Sequence, residues 1–397
     1  MTPGSEAWNR QTQLVRGGLT RSEWDETSEG LFLTSGFVYG SAEEAEAAFA
    51  GESDHYIYSR YGNPTVSMFE ERLRTIEGAE AVYATASGMA AVFTSLIAIL
   101  ETGDRVVASK GLFGSCFLIL DELLPRWGID TEFVDGADID AWAEALSKPT
   151  KAVFFETPSN PMQGLVDIRA VSDLAHEAGA TVVVDNVFAT PVLQSPIQLG
   201  ADVVVYSTTK HIDGQGRTLG GAILGSTEYI DEKVQPFIRH TGPALSPFNA
   251  WVLVKSLETL DLRVTAQTKA ALALASALGD FPGVTDVWYP FLETHPQHDL
   301  ATRQMSGGGS VVTFEVEGGK DAAFRVLNGL SIIDISNNLG DAKSLVTHPA
   351  STTHRRLGPQ VRSQMGITDG VVRISVGLED VGDLTNDLHA ALEGARR

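Results

Sequence analysis

The chain has 397 residues, of which 43% are apolar and 20% are charged, so it is long enough for two domains and a substantial core. Acidic residues outnumber basic residues by 51 to 29, for a net charge of −22, and no long lysine or arginine run occurs; both features argue against binding to nucleic acid or an anionic membrane. The single cysteine, Cys116, excludes an internal disulfide framework and a cysteine-based zinc site.

Residues 1 to about 60 are rich in Gly, Ser, Thr and acidic residues and predict an extended arm with a short helix at Ser41–Phe49. A clear helix begins after Asn63, a capping residue that is followed by a proline in the first turn. Apolar residues recur at helical spacing from Val66 to Ile76, and a glycine then ends the helix.

Apolar strand-like runs then alternate with helical stretches. The strand-like runs are Ala81–Ala84, Arg105–Ala108, Ala152–Phe155, Val182–Val184, Val203–Val205 and Gly221–Leu224. The helical stretches between them are Met89–Glu101, Phe117–Trp127, Ile139–Ser147 and Ile168–Ala178. This alternation predicts an α/β fold with a mainly parallel sheet that is covered by helices.

A long helical stretch at Pro247–Gly279 is expected to carry a domain boundary. Beyond it, three apolar runs predict the strands of a smaller α+β domain, namely Ser310–Val316, Gly329–Ile333 and Val371–Val376. The predicted organisation is an N-terminal arm over residues 1–62, a large domain over residues 63–258 and a C-terminal α+β domain over residues 259–397.

The sequence shows no sign of export or of a membrane segment. Its first residues lack the basic and then apolar pattern of a signal peptide, and no apolar run approaches the ~20 residues of a membrane span. The histidines have no metal-ligand spacing, so no metal site is expected. We expect a cytoplasmic protein without nucleic-acid or membrane partners, in which local arginines could still form a pocket for a phosphate or a carboxylate.

Two predicted strands end in side chains that suit pyridoxal phosphate (PLP). One strand runs into a group of hydroxyl side chains and then Lys210, whose amine can form a Schiff base with PLP. The preceding strand ends in Asp185, a carboxylate that could pair with the ring nitrogen. Parallel strands deliver their last residues to one edge of the sheet, where α/β enzymes bind ligands. A solvated lysine is the alternative for Lys210 taken alone, but the two strand ends together favour a PLP site.

A phosphate seat is predicted where the first helix of the sheet begins. Ser87, Gly88 and Met89 place small residues and backbone N–H groups at the N-terminus of an apolar helix, where phosphates bind readily. Together with the hydroxyl groups of Ser207 and Thr209, they would complete a phosphate cup.

Three other polar residues are candidates for ligand contacts. Arg60 lies between Tyr58 and Tyr61, and its guanidinium could bind a phosphate or stack in a surface loop. Asn160 follows a strand end, in a turn that contains two prolines, and could bond the ring hydroxyl of PLP. Arg373 lies inside an apolar strand and needs an anion there, either a substrate α-carboxylate or an internal acidic residue.

The order of these motifs resembles that of the Cys/Met-metabolism PLP enzymes, a family of cystathionine synthases and lyases, methionine γ-lyases and homoserine-ester sulfhydrylases. The matching motifs are Tyr58–Pro64, Ser87–Ala90, Glu156–Pro161, Val184–Asn186, Tyr206–Lys210, Leu345–Pro349 and Arg373–Gly377. Seven motifs in order, spread over essentially the whole chain, make the resemblance highly specific.

The resemblance implies an aspartate-aminotransferase-like fold (fold type I of the PLP enzymes) and a homotetramer built as a dimer of dimers. In such an enzyme Lys210 would hold PLP covalently, Asp185 would pair with the pyridine nitrogen, Phe113 would stack on the ring and Asn160 would lie near the ring hydroxyl. The implied phosphate contacts are Ser87, Gly88, Met89, Ser207 and Thr209 of one subunit with Tyr58 and Arg60 of its neighbour. The implied substrate contacts are Arg373, Asn338 and Tyr58, with Arg373 on the α-carboxylate.

Departures from the family pattern narrow the implied activity. Many relatives carry a tyrosine where this chain has Phe113, which lacks the hydroxyl group. Methionine γ-lyases place a cysteine where this chain has Ser115, and cystathionine γ-synthases place an arginine near Leu118. The segment Asn338–Lys343 resembles that of the sulfhydrylases, and with the Phe113 variant it points to the type that uses O-succinylhomoserine. The resemblance therefore implies a γ-replacement of methionine biosynthesis, in which O-succinylhomoserine and sulfide give homocysteine and succinate.

Other activities remain open at this stage. The same site could prefer O-acetylhomoserine, take cysteine as a cystathionine γ-synthase does, or act as a methionine γ-lyase. Outside this group, the chain could be a non-catalytic PLP-binding module, or a phosphate-binding α/β enzyme that does not use PLP.

Overall fold

The computed structural model describes residues 7–396, and within this range the strands form two sheets. The strands of the large sheet are β1 (Ala81–Thr85), β2 (Arg105–Ser109), β3 (Asp130–Val134), β4 (Ala152–Glu156), β5 (Thr181–Asp185), β6 (Val203–Ser207) and β7 (Gly221–Gly225). The strands of the small sheet are β8 (Val284–Trp288), β9 (Val311–Val316), β10 (Asp334–Ile335), β11 (Leu345–Thr347) and β12 (Val371–Ser375).

Helices connect and cover these strands. Up to the end of the large sheet they are α1 (Arg10–Arg16), α2 (Ala42–Ala50), α3 (Pro64–Glu77), α4 (Gly88–Ile97), α5 (Gly114–Leu118), α6 (Ile139–Leu146), α7 (Ile168–Glu177) and α8 (Thr190–Leu193). The later helices are α9 (Thr227–Tyr229), α10 (Gln235–Thr241), α11 (Pro247–Leu257), α12 (Leu260–Leu278), α13 (His298–Gln304), α14 (Gly319–Gly329), α15 (Gly358–Gln364) and α16 (Val381–Ala395). Within residues 7–396, no helix is both long and apolar enough to cross a membrane.

The large sheet has the order β1-β7-β6-β5-β4-β2-β3. Its strands β6, β5, β4, β2 and β3 are parallel, whereas β7 pairs antiparallel with both β6 and β1. The predicted α/β fold with a mainly parallel sheet is therefore confirmed. Strands β4 and β5 read as nearly unbroken apolar runs because helices cover both faces of the sheet and successive side chains enter two different cores.

The predicted domain boundary falls between α11 and α12, and the strands of the small sheet all follow it. We propose on this basis the division into an arm over 1–62, a large domain over 63–258 and a C-terminal domain over 259–397. Residues 1–6 of the arm and Arg397 of the last domain lie outside the described residues.

The strand predicted at Gly329–Ile333 is wrong. Gly329 ends α14, and the backbone N–H groups of Ser331, Ile332 and Ile333 donate to the carboxylate of Asp387, at 2.8, 2.9 and 3.2 Å. Because a side chain from α16 satisfies these donors, the apolar run needs no neighbouring strand, and the short β10 begins only after it.

A buried hydrogen-bond network joins the ends of three adjacent strands. The hydroxyl of Tyr206 donates to Glu77 Oε2 at 2.5 Å, and Asn186 Nδ2 donates to that hydroxyl at 2.6 Å. Gln194 Nε2 in turn donates to Asn186 Oδ1 at 2.8 Å and to the carbonyl oxygen of Thr157 at 3.0 Å. Thr157 and Asn186 directly follow β4 and β5, and Tyr206 lies within β6. Through Glu77 at the end of α3 and Gln194 after α8, the network thus links the ends of the three strands to the helices beside them.

A Glu77→Gln variant is expected to become more stable relative to the parent protein as the pH rises from about 5 to about 8. Burial raises the pKa of Glu77 to about 8, above its ordinary value of 4.5. The contribution of protonated Glu77 to the folding stability is therefore fully present below about pH 4.5 and is lost as the pH rises through about 8. Glutamine does not titrate, so its contribution stays constant. Melting temperatures of the holoenzymes at pH 5.5 and 8 measure the effect. A variant of the exposed Glu101, Glu101→Gln, is the control, and an equal pH dependence in all three proteins would contradict the prediction.

Candidate active site

A cavity of about 240 Å³ opens at the carboxyl ends of the parallel strands, where β4, β5 and β6 stop. The predicted site residues that line it are Ser87, Gly88, Met89, Phe113, Asn160, Asp185, Ser207, Thr209, Lys210 and Arg373. The fold thus brings together residues that lie up to 286 positions apart in the chain. Their roles stay predictions, but their common location follows from the parallel strands.

Lys210 enters the cavity from the turn that follows β6. The turn is closed by hydrogen bonds from the Lys210 N–H to the Ser207 carbonyl (3.2 Å) and from the Gly214 N–H to the Lys210 carbonyl (2.8 Å). Burial, and secondly the charge of Arg373, lower the pKa of Lys210 to about 8 from an ordinary 10.5. Its amine is therefore more often neutral at physiological pH than that of an exposed lysine, and a neutral amine is nucleophilic.

Two buried carboxyl groups lie side by side at the floor of the cavity. Glu156 ends β4 and Asp185 ends β5, and the two residues are paired in the parallel register. Burial raises the pKa of Asp185 to about 7, and burial together with the neighbouring Asp185 raises the pKa of Glu156 well above its ordinary value. Each accepts a backbone hydrogen bond, Glu156 from Phe113 at 2.8 Å and Asp185 from Val187 at 3.1 Å. Because a nearby cation favours the ionised form of a carboxyl group, one acid of this pair can serve as the anion for a cationic ligand group.

The N-terminus of α4 and the end of β6 approach each other closely at Gly88. A Cβ atom at this position would lie 2.5 Å from the Cβ of Ser207, so only glycine fits. Ser87 caps the helix, its side chain accepting from the Ala90 N–H at 3.2 Å. The first residues of the helix line the same cavity as Ser207 and Thr209, and helix N-terminal N–H groups together with hydroxyl groups are a donor set that suits a phosphate.

Arg373 reaches the cavity from β12 of the small sheet. Its guanidinium donates to Asn160 Oδ1 at 3.0 Å and to the carbonyl oxygens of Asn337 and Asn338 at 2.9 and 3.2 Å. Within residues 7–396, no atom accepts a hydrogen bond from its buried Nε–H. A buried guanidinium that is held only by neutral groups and retains an unused donor is suited to bind an anionic ligand.

Three predicted residues lie elsewhere. Asn338 does not line the cavity, but its side-chain oxygen accepts from the amine of Lys210 at 2.5 Å. Tyr58 and Arg60 are also absent from the cavity wall; Arg60 lines a separate pocket, and Tyr58 is an exposed residue whose ring lies 5.5 Å from the Arg60 guanidinium. Within one chain, the cavity therefore forms without the two residues that the resemblance assigns to a neighbouring subunit.

Several residues of the cavity have no role predicted from the sequence. Besides Glu156, these are Val92, Cys116, Val187, Phe188, Leu219, Asn337 and Leu339. Glu156 could have been predicted from the sequence, because it ends an apolar strand just as Asp185 does. The others lie in loops and on helix faces, and their positions arise from tertiary packing that no local sequence pattern shows.

These residues fit PLP. The cavity contains the phosphate cup, which a Cβ atom at Gly88 would fill, and a pair of buried carboxyl groups. It also contains the amine of Lys210, whose pKa is lowered, and the unused Nε–H donor of Arg373. When bound, PLP withdraws electrons from the substrate carbon atoms attached to its imine.

Comparison with known proteins identifies the family. The model of the Cys/Met metabolism PLP-dependent enzymes matches residues 11–393. An O-succinylhomoserine sulfhydrylase of Mycobacterium tuberculosis is 66% identical over 388 residues, which cover 97% of this chain and 96% of that protein. An O-succinylhomoserine sulfhydrylase of Pseudomonas aeruginosa is 48% identical over 381 residues, which cover 96% and 94%.

Solved structures agree with these matches. A cystathionine gamma synthase from Xanthomonas oryzae pv. oryzae superposes with a TM-score of 0.93 at 34% identity, over 98% of this chain and 99% of that one. A putative O-acetylhomoserine (thiol)-lyase from Campylobacter jejuni, which contains a pyridoxyl-lysine phosphate, superposes with a TM-score of 0.93 at 30% identity, over 97% and 100%. The chain thus belongs to the Cys/Met-metabolism family of PLP-dependent enzymes.

Proposed function

We propose that this enzyme catalyses the γ-replacement of O-succinylhomoserine by sulfide, which yields homocysteine and succinate and serves methionine biosynthesis in the cytoplasm. The observation that carries the reaction type is the convergence of Lys210, Asp185 and Arg373 on one cavity. The choice of ester and sulfur donor is supported by the relatives at 66% and 48% identity, both named O-succinylhomoserine sulfhydrylases.

In the proposed site, Lys210 holds PLP covalently and Asp185 faces the ring nitrogen. Glu156, whose pKa is raised by burial and by the charge of Asp185, keeps its proton, so that the floor presents one negative charge rather than two. The phosphate is bound by the α4 N-terminus with the nearby hydroxyl groups. Phe113 stacks on the ring and Asn160 lies near the ring hydroxyl. Arg373 binds the substrate α-carboxylate through its unused Nε–H.

Lys210 is proposed to move the protons of the reaction. Once the substrate amine has displaced it, its amine has a pKa lowered by burial and can take a proton from Cα and return it elsewhere on the substrate. Phe113 has no hydroxyl to share this task. The succinate leaves with the γ-oxygen and its bonding electrons, and the sulfur of sulfide forms the new bond at the same γ-carbon. No protein thiol takes part, since burial raises the pKa of Cys116 well above its ordinary value.

The proposed active assembly is a homotetramer of two dimers, in which Tyr58 and Arg60 complete the phosphate site of the neighbouring subunit. Support comes from the position of Arg60, which lines a pocket separate from the Lys210 cavity of its own chain. Arg60→Ala and Lys210→Ala variants should each be inactive alone. Unfolding and refolding them together should restore activity, because mixed dimers contain one site with both residues. If the mixed sample regains no activity although each variant refolds as an oligomer, the proposal that two subunits share each active site is wrong.

A Gly88→Ala variant is expected to bind PLP about tenfold more weakly or worse. The added methyl group would lie 2.5 Å from the Cβ of Ser207, so the phosphate cup must widen to accept it. Absorbance titration of the cofactor-free protein with PLP measures the affinity. Gly394→Ala is the matched control, because Gly394 lies in α16 and a Cβ there would contact nothing within 4 Å. Equal affinities of the two variants would contradict the proposed cup.

The function itself is tested by giving the purified holoenzyme O-succinylhomoserine or O-acetylhomoserine, each with sulfide or with cysteine. The products are identified by mass. Homocysteine formed fastest from O-succinylhomoserine and sulfide supports the proposal. Faster reaction of O-acetylhomoserine, cystathionine formed from cysteine, or α-ketobutyrate released from methionine would each assign a different activity of the family. Turnover of no substrate by a PLP-loaded protein would indicate a binding module instead.

A further inference from the structure

Two arginines form a fixed pair outside the Lys210 cavity. The guanidinium carbons of Arg60 and Arg239 lie 4.9 and 3.9 Å from the ring centroid of Tyr61. Arg60 also donates a hydrogen bond to the carbonyl oxygen of Arg239. A side-chain hydrogen bond from Arg239, and to a smaller extent the charges of both arginines, lower the pKa of the Tyr61 hydroxyl. Aromatic stacking thus holds two like charges close together at one place in an acidic protein.

In the part of the chain that the structure describes, this arginine pair lacks an acidic partner. Among residues 7–396, no carboxylate oxygen lies within 4.0 Å of a side-chain nitrogen of Arg60 or Arg239, whereas the buried Arg72 pairs with Glu29 at 2.6 Å. Both arginines line a pocket of about 360 Å³. The acidic residues of that pocket are Asp54 and Asp231, which are exposed, and Glu70, which accepts from the Ala84 N–H and whose pKa burial raises to about 7. A half-buried cation pair without an acid is suited to bind an external anion.

The Lys210 cavity lacks enough cations for the proposed substrate. In the described part of the chain, the cationic residues that line it are Lys210 and Arg373. Lys210 is engaged by the cofactor, and Arg373 can serve one carboxylate. O-succinylhomoserine has two carboxylates, and the phosphate cup contributes only neutral donors. The terminal carboxylate of the succinyl group therefore needs a cation that this cavity does not contain.

We propose that Arg239, held beside Arg60 by Tyr61, binds the terminal carboxylate of the succinyl ester in the active site of the neighbouring subunit and so selects succinyl over acetyl esters. This inference rests on the proposed function, both for the ester and for the sharing of the site between subunits. The planar fork of Arg239 suits a carboxylate, and the stacking against Tyr61 keeps it oriented before the substrate arrives.

The test compares KM values of the holoenzyme and an Arg239→Gln variant for O-succinylhomoserine and O-acetylhomoserine, each with sulfide. The KM for the succinyl ester should rise about tenfold or more beyond any rise for the acetyl ester, because a hydrogen bond between charged groups is lost. Arg239→Lys should recover part of the difference, since the charge remains. If the acetyl ester reacts too slowly to measure, inhibition constants for succinate and acetate give the same comparison.

Lys110→Gln is the matched control. Lys110 is an exposed cation in a neighbouring cavity of about 200 Å³ whose wall includes Glu156 and Asn160, so it is the competing candidate for the same carboxylate. The proposal is overturned if Lys110→Gln and not Arg239→Gln changes the ester ratio, if Arg239→Gln affects both esters equally, or if it only weakens PLP binding. The outcomes distinguish the two proposals. If the parent enzyme does not use the succinyl ester, the proposed function is wrong. If the parent enzyme uses it and the Arg239→Gln variant is unaffected, only the role of Arg239 is wrong.

Discussion

A Lys210→Ala variant is expected to lose at least ~10³-fold in kcat, because one side chain is proposed both to hold the cofactor and to carry every proton of the reaction. Among residues 7–396, no other side chain near Lys210 is proposed to act as a base. The acids at the cavity floor are proposed to face the cofactor ring, and His211, the next residue, is buried, has its pKa lowered to about 3 and bonds Ser310 at 2.7 Å. Steady-state rates with O-succinylhomoserine and sulfide measure the loss.

The covalent role has a separate readout. Borohydride reduction of the native holoenzyme should leave a pyridoxyl group on the peptide that contains Lys210, detected by mass spectrometry. Lys233→Ala removes an exposed lysine and serves as the control for both measurements. Full turnover by the Lys210→Ala variant, or a label on another lysine, is incompatible with the proposed site.

An Asp185→Asn variant is expected to lower kcat by ~10²–10³-fold, the usual scale for loss of a preorganised charge in an active site. Asparagine preserves the shape of the side chain and can still accept from the Val187 N–H, so the fold should be retained. It cannot supply the anion that keeps the ring nitrogen protonated, and the ring then withdraws electrons less strongly. Rates and the absorbance spectrum of the bound cofactor, recorded on the same samples, check both parts.

Glu156→Gln is the informative comparison for Asp185→Asn. Glu156 is the neighbouring acid and is proposed to remain protonated, so an amide should replace it with a much smaller loss. A larger loss for Glu156→Gln than for Asp185→Asn would reverse the assignment of the two acids.

Much of the large domain could be predicted because its determinants are local. A strand buried on both faces must be apolar, as β4 and β5 are, and a capping residue followed by proline starts a helix, as at Asn63. A strand without this signature is not predicted from the sequence: β3 (Asp-Thr-Glu-Phe-Val) begins with three polar residues and lies at the edge of the sheet. At Gly329–Ile333 the local pattern was misleading, because the carboxylate of Asp387, 54 to 56 residues away, satisfies the backbone instead of a neighbouring strand.

The amino-acid sequence alone determines which reactive side chains lie at the ends of the parallel strands. Lys210 and Asp185 each follow an apolar strand, and parallel strands place their carboxyl ends at one edge, so their proximity can be deduced without coordinates. Which groups are charged, and which face which ligand, depends instead on distances between residues remote in the chain. The register that pairs Glu156 with Asp185, the approach of Arg373 from the second sheet to Asn160, and the stacking of Arg60 and Arg239 on Tyr61 all arise from packing. Electrostatic interactions depend on distances in space rather than along the chain. The tertiary structure alone therefore decides the shifted pKa values of the buried acids and of Lys210, and the pairing of the two arginines.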